Sequence, residues 1–493
     1  PVFVCNALDA RSSFDGFCAI NLRCLRFALD GLRTLPIISF KFDALGRCKM
    51  QLLSETIEAE DNSYRPPHIA YETPEGFDLM DMTMFRDHGQ PYDYFHTLRD
   101  KAPVSWWQPP KSTDVAGFWA LTRYEDVKKC DLDAKTFSSG AGGILMGYSA
   151  KGGGPKRLSG AALNSMINLD QPWHIPLRMA HRPFFTPDYI GKLQSRVETE
   201  VDRLLDNMEA IAKKNDGKVD MVTNFSEWLP MYTLCEMLGI DEKDRPSIVR
   251  WMHYLENASY IIGDPEAKVS PWFIAKFLWN IRQMFRYGQK VLLDRRKNPR
   301  DDLLTVIATT EVDGEPMDQS YLDGSWLLII FAGNDTTRNS LSGTMRLLTQ
   351  FKDQKQMLID DPSLIPQMVP EALRLVSPVM YMRRTAQADA EFSGQKITKG
   401  EKVIMYYGAA NRDPDVFEDP DKMDIHRSNA NEHLAFGTGA HVCLGQRIAN
   451  MQLETAYARI LDRYPNIEWT GKQAHAPNNF VNAISNLEVN LGI

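Results

Sequence analysis

Cys443 stands between two glycines, Gly439 and Gly445, and a helix-like pattern from Gln446 to Leu461 follows it. That order places a thiol at a helix N-terminus, where unpaired backbone N–H groups and the helix dipole favour a thiolate. Glycine, lacking a Cβ, permits the close backbone approach that such a thiolate needs. A thiolate held in this way can act as a nucleophile, a redox thiol or the axial ligand of a haem iron. The plainer alternative for a lone cysteine is a buried, inert side chain. A nucleophile would want a base, and His441 is a weak candidate two residues away.

Three other constellations carry chemistry. In Ala332-Gly333-Asn334-Asp335-Thr336-Thr337 an acid and an alcohol adjoin a glycine in the longest helical pattern. That glycine costs roughly 1 kcal/mol of helix propensity, which makes sense if something large presses on the face, or if two helices pack closely there. An acid beside the apolar Leu328, Ile329 and Ala332 must be solvated or paired, and a chain of waters is the expected resolution. Glu371 and Arg374 are three apart, the spacing of an ordinary surface ion pair. His174 and Arg178 are four apart and share a helix face, with Pro176 tolerated in a first turn.

Taken together these stretches resemble the cytochrome P-450 family. Phe436, Gly439, Cys443 and Gly445, within Phe436-Gly437-Thr438-Gly439-Ala440-His441-Val442-Cys443-Leu444-Gly445, are similar to its haem-binding loop. The resemblance implies haem b with Cys443 as the proximal thiolate and metal ligand, Phe436 shielding the sulfur, and Gly437 and Gly445 shaping the loop. It implies His174, Arg178, Arg384 and His441 as partners of the haem propionates, with Arg384 preferred over its neighbour Arg383. Ala332, Asp335 and Thr336 resemble the oxygen-binding helix, Ala332 lying against the haem, Thr336 contacting dioxygen and Asp335 relaying protons. Glu371 and Arg374 match the structural Glu-x-x-Arg, and Asn411-Arg412-Asp413-Pro414 with Phe417 the meander after it. The third member of that triad is usually an arginine in Pro-x-Arg-Phe. Here the segment reads Pro420-Asp421-Lys422-Met423, and lysine lacks the arginine fork, so the triad is either weakened or completed from elsewhere.

The resemblance covers residues 76 to 493 and implies a monooxygenase that hydroxylates a C–H bond with O2. Electrons would come from NAD(P)H through a separate ferredoxin or flavodoxin and its reductase, since no flavin or iron–sulfur motif is present. The pocket positions it implies, Leu328, Ala332, Val379, Met380, Ala483 and Ile484, are all apolar. They suit an alkane, fatty acyl chain, terpenoid or steroid side chain. A peroxide-driven peroxygenase and a non-catalytic haem sensor are the rival readings; the Asp335–Thr336 pair argues against both.

The elements that must position these groups follow from pattern and composition. The chain has 493 residues, 43% hydrophobic and 24% charged, with net charge −8. This is an ordinary globular mix without the basic footprint of nucleic-acid binders. No apolar run approaches the roughly 18 residues of a membrane span, and a cytoplasmic location is expected. Seven cysteines, an odd number at wide spacing, fit a reducing compartment. Short strands are expected at 102–107, 118–123 and 402–406, and helices at 124–132, 187–214, 225–238, 244–258, 271–297 and 318–351. A Gly/Ser-rich mobile loop is expected over 138–160. The fold class is mainly α with small β-sheets, as one large domain over 61–493. Residues 1–60 read as an extension, disordered or non-native: the first 49 carry seven Lys/Arg against four Asp/Glu and four of the cysteines, and a true start near Met50 is expected.

Overall fold

Proline and side-chain oxygens set the starts of the long helices. Thr186, Ser270 and Asp318 each accept a backbone N–H three residues on, from Tyr189, Phe273 and Tyr321. Pro187 and Pro271 occupy the first helical position, where a missing N–H costs nothing. In this computed structural model the described residues are 64–71, 74, 78–108, 117–146, 164–263, 270–312, 314–476 and 478–493. Of the leader, only an antiparallel strand pair, Ile38–Phe42 with Cys48–Leu52, is described. The expectations for the rest of residues 1–60, and for most of the loop after Met146, lie outside the described residues.

The helices that matter for the site are α1 (Tyr124–Leu132), α2 (His174–His181), α3 (Pro187–Ala212), α4 (Trp228–Met237), α5 (Arg245–Gly263), α6 (Pro271–Lys297), α7 (Gln319–Gln350), α8 (Ile365–Val376) and α9 (Gln446–Arg463). Residues from every one of them except α1 join one large apolar cluster, which α7 crosses at its centre. The helix expected from Phe225 begins later. Pro230 offers no N–H to the carbonyl four residues back, and a π-helical turn, Val222–Ser226, precedes α4 instead. The other long helices fall within a few residues of their expected bounds, apart from α5, which runs on to Gly263.

Eight short strands form the main and C-terminal sheets. They are β1 (Val104–Trp107), β2 (Phe118–Leu121), β3 (Phe137–Ser138), β4 (Lys218–Asp220), β5 (Tyr381–Ala386), β6 (Lys402–Tyr406), β7 (Glu468–His475) and β8 (Ile484–Asn490). The main sheet runs β1-β2-β6-β5-β3, with β6 parallel to β2 and antiparallel to β5. Both faces are covered. Trp119, Leu121, Val403 and Met405 enter one apolar cluster, and Phe118, Ala120, Ile404 and Tyr406 enter another. That is the two-residue period of a strand buried on both sides. β7, β8 and β4 make the C-terminal sheet.

Candidate active site

The loop from Phe436 to Gly445 is fixed before α9 begins. The Cys443 N–H donates to the Phe436 carbonyl at 2.8 Å. Gly437 and Gly439 adopt φ of +65° and +66°, and a Cβ on Gly439 would lie 2.8 Å from the Asp131 carbonyl oxygen. Glycine is therefore required there for the loop to abut the end of α1. Asp131 completes the joint: its carboxylate accepts the Thr438 N–H at 2.8 Å and the Tyr407 hydroxyl at 3.3 Å.

The Cys443 sulfur lies under the N–H groups of Gly445 and Gln446, and Arg178 is close enough to act on it electrostatically. Burial nevertheless pushes the thiol above its ordinary value, because desolvation outweighs those three favourable contributions. The N–H groups at the helix start favour the thiolate, as expected from the sequence, and metal coordination would complete the deprotonation.

Around the sulfur the structure gathers cations and imidazoles. The rings of His174 and His441 stack with centroids 4.0 Å apart and planes at 31°. Burial, then Arg384, His174 and Arg178, push His441 down to about 2, so the ring is neutral. Burial also lowers His174, with Arg178 adding to the effect. Strand alternation decides between the two arginines of β5. Arg384 points to this cluster and pairs with Asp131 at 2.8 Å, while Arg383 donates to the Leu145 carbonyl at 3.2 Å.

On α7, Ala332 is exposed and Thr336 half-buried, its hydroxyl donating to the Ala332 carbonyl at 3.1 Å. Asp335 is 3% exposed and Arg338 5%. Their charges are 3.6 Å apart. A guanidinium one turn on therefore stands beside the buried carboxylate.

The Glu371–Arg374 pair is wholly buried and bidentate, with both contacts at 2.8 Å. It is no surface pair. Arg374 also donates to the carbonyls of Asn411, Pro420 and Lys422. The third member is Arg427, whose Nε donates to both Glu371 oxygens at 3.1 Å. The Lys422 ammonium turns outward to Asp419. Asn411 carries the framework to the cysteine loop, accepting the Leu434 N–H at 2.6 Å.

Comparison with known proteins agrees with this geometry. The family model described as Cytochrome P450 matches residues 164–490. The chain belongs to the cytochrome P450 family. It is 34% identical over 401 residues to linalool 8-monooxygenase of Pseudomonas putida, covering 81% of this chain and 95% of that one. It is 32% identical to a methyl-branched lipid omega-hydroxylase of Mycobacterium tuberculosis, over 80% and 90% of the two chains. Among solved structures, a Mycobacterium marinum cytochrome P450 in complex with pseudoionone is similar at TM-score 0.76 and 32% identity, over 87% of this chain and 99% of that one. This P450 is accordingly a monooxygenase of that family.

The residues present fit the haem that the family carries. His441 Nδ1 is buried without a hydrogen-bond partner beside two guanidiniums, which is where a carboxylate of the group would be received. The sulfur has backbone donors from Gly445 and Gln446 and feels the charge of Arg178. The C-terminal turn is stitched to α7 and to the segment between α8 and β5: Ile484 N–H donates to Asn339 Oδ1 at 2.8 Å, and Val379 bridges Val481. Leu328 and Val379 are half-buried. Met380, Ala483 and Ile484 are 1%, 6% and 0% exposed. Among the described residues, no helix is long and apolar enough to cross a membrane.

Sequence reasoning missed Asp131, Arg338 and Arg427. Arg338 had a signal in its three-residue spacing from Asp335. Asp131 and Arg427 reach their partners only through the tertiary fold.

Proposed function

We propose that this P450 inserts one oxygen atom of O2 into a C–H bond of a hydrophobic aliphatic or alicyclic compound, such as a terpenoid, branched fatty chain or steroid side chain. The second atom leaves as water, using two electrons and two protons. The electrons would come singly from NAD(P)H through a ferredoxin or flavodoxin and its reductase, in the cytoplasm. The observation that carries the reading is the half-buried Cys443 under two backbone N–H groups, beside an arginine–histidine cluster whose His441 Nδ1 lacks a partner. The relatives' range supports the substrate class: linalool and methyl-branched lipids appear in the names above, and a steroid C26-monooxygenase of Rhodococcus jostii is 30% identical over 84% of this chain.

Haem bound through Cys443 would supply oxygen activation. The chain's own residues do the rest. Arg178, Arg384 and His441 would hold the carboxylates of the group. Thr336 Oγ1, now turned to the Ala332 carbonyl, is the hydroxyl free to rotate toward a ligand on the open side of α7. Asp335, held by Arg338, keeps a carboxylate beside it as the proton relay. The apolar wall of Leu328, Ala332 and Val379 excludes charged substrates and water.

The test has two parts. Reduced protein with carbon monoxide should show the thiolate-type absorption of the family, and Cys443→Ala should lose it; an unchanged spectrum in that variant refutes the ligand. Linalool, a methyl-branched fatty acid and a sterol should then be titrated for the low- to high-spin shift. No shift with any of them would refute the substrate class.

A further inference from the structure

One face of α6 is unlike the rest of the molecule. Trp272, Lys276, Trp279, Arg286, Lys290, Leu293 and Lys297 are all exposed, and they recur at intervals of three, four or seven residues. Such spacing draws a single stripe along one side of a helix about 40 Å long. The two tryptophans are 60% and 55% exposed and Leu293 45%. The Lys276 ammonium sits 5.4 Å from the Trp272 ring centroid. The one acid on this face, Asp294, pairs with Arg295 and Arg300, and none of the stripe's four cations makes an ion pair among the described residues. Helix α6 as a whole holds seven Lys/Arg against one acid, Asp294, in a chain of net charge −8.

The opposite side of α6 is committed. A Cβ on Gly288 would meet the Trp326 side chain at 2.5 Å, and Trp326 Nε1 donates to the Met284 carbonyl at 3.2 Å. The helix is seated on α7, so the stripe cannot turn inward.

We propose that this stripe docks the protein on the surface of an anionic lipid bilayer. Unpaired cations on an otherwise acidic chain are complementary to an anionic headgroup layer. Two exposed tryptophans, each with an apolar body and one N–H donor, suit the headgroup level. An acidic protein would match the cations but leave the tryptophan pair without a role. The proposal stands on α6 alone and does not depend on the substrate reading.

The haem-loaded full chain should co-sediment with phosphatidylcholine vesicles containing phosphatidylglycerol and not with phosphatidylcholine alone. Raising salt from 0.1 to 1 M, which shortens the screening length from about 10 to about 3 Å, should release it. The double variant Lys276→Gln/Arg286→Gln should weaken partitioning about 30-fold, at roughly a factor of five per cation. Trp272→Ser/Trp279→Ser should weaken it about tenfold or more with its charge intact. Both variants change exposed side chains, so circular dichroism and haem content should match the parent. Failure of the parent to bind anionic vesicles overturns the proposal, as does equal binding to neutral ones. Binding that depends on the cations but ignores the tryptophans would also overturn it, assigning the face to an acidic protein.

Discussion

Arg384 and Asp131 form a buried ion pair, 2.8 Å apart and almost sealed from solvent, at the edge of the arginine–histidine cluster. Asp131 thereby ties three things together: the arginine of β5, the Thr438 N–H of the cysteine loop and the Tyr407 hydroxyl. Arg384 is thus positioned before any cofactor carboxylate meets it.

Asp131→Ala should destabilise the haem-free protein by about 3–5 kcal/mol, the usual cost of leaving one buried charge unpaired. The haem-loaded protein should lose less, because the propionates give Arg384 a second partner. Urea unfolding of both forms, with and without the substitution, measures the difference. Equal losses in the two forms would show that Arg384 does not contact the cofactor.

The Glu371 triad separates two positions that look alike in sequence. Arg427 donates twice to a fully buried carboxylate, whereas the Lys422 side chain pairs with Asp419 in solvent. Arg427→Ala should cost about 3–5 kcal/mol and lower haem retention. Lys422→Ala should change stability by less than about 1 kcal/mol, as surface pairs do. Denaturation curves that ranked the two in the opposite order would contradict the assignment.

That contrast shows where the sequence was readable. Periodicity marked α6 and α7 because each keeps one face in the core over many turns. The cysteine loop was legible because glycines, a thiol and a helix start must adjoin in the chain. Val403 and Met405 could be read as strand residues, but which face each covers depends on β2 and β5, distant in the chain. Arg427 could not be assigned to Glu371 because a loop, not a repeating element, carries it there. At Cys443 the N–H donors follow from local sequence, whereas the burial that opposes them is a property of the whole fold.

Acid should weaken the fold in a defined window. His181, on α2, is 4% exposed, and burial holds it down at about 4. Unfolded, it would titrate near 6.5, so between these values the unfolded chain binds the extra proton. Stability from this residue is full above about pH 6.5 and falls as pH drops toward 4, by up to about 3 kcal/mol. Burial holds His433 and His475 at about 4 too, and they add with the same sign. Unfolding free energy measured from pH 7 to 4.5 should decline, and His181→Phe should decline less steeply. A parallel pair of curves would mean that His181 takes up its proton in the folded state.

The acid and alcohol of α7 make the sharpest test of chemistry. Thr336 is half-buried and Ala332, to whose carbonyl its hydroxyl donates, is exposed, whereas Asp335 is buried against Arg338. On the proposed reading the two adjacent side chains would divide the work: the hydroxyl would meet the ligand, and the carboxylate would stand behind it beside Arg338. Thr336→Ala should leave haem content and the substrate-induced spin shift intact, since neither uses the hydroxyl. Product formed per NADH consumed in a system reconstituted with ferredoxin and its reductase should fall, with hydrogen peroxide released in its place. Asp335→Asn keeps the shape but not the charge, and should slow turnover by about 10² to 10⁴, the range of a positioned proton transfer. Arg338→Gln should slow turnover as well, while Thr336-type uncoupling should not appear, because the arginine acts on the carboxylate and not on the ligand. Wild-type rate and coupling in both Thr336→Ala and Asp335→Asn would remove this pair from oxygen activation and favour a peroxide-driven reaction.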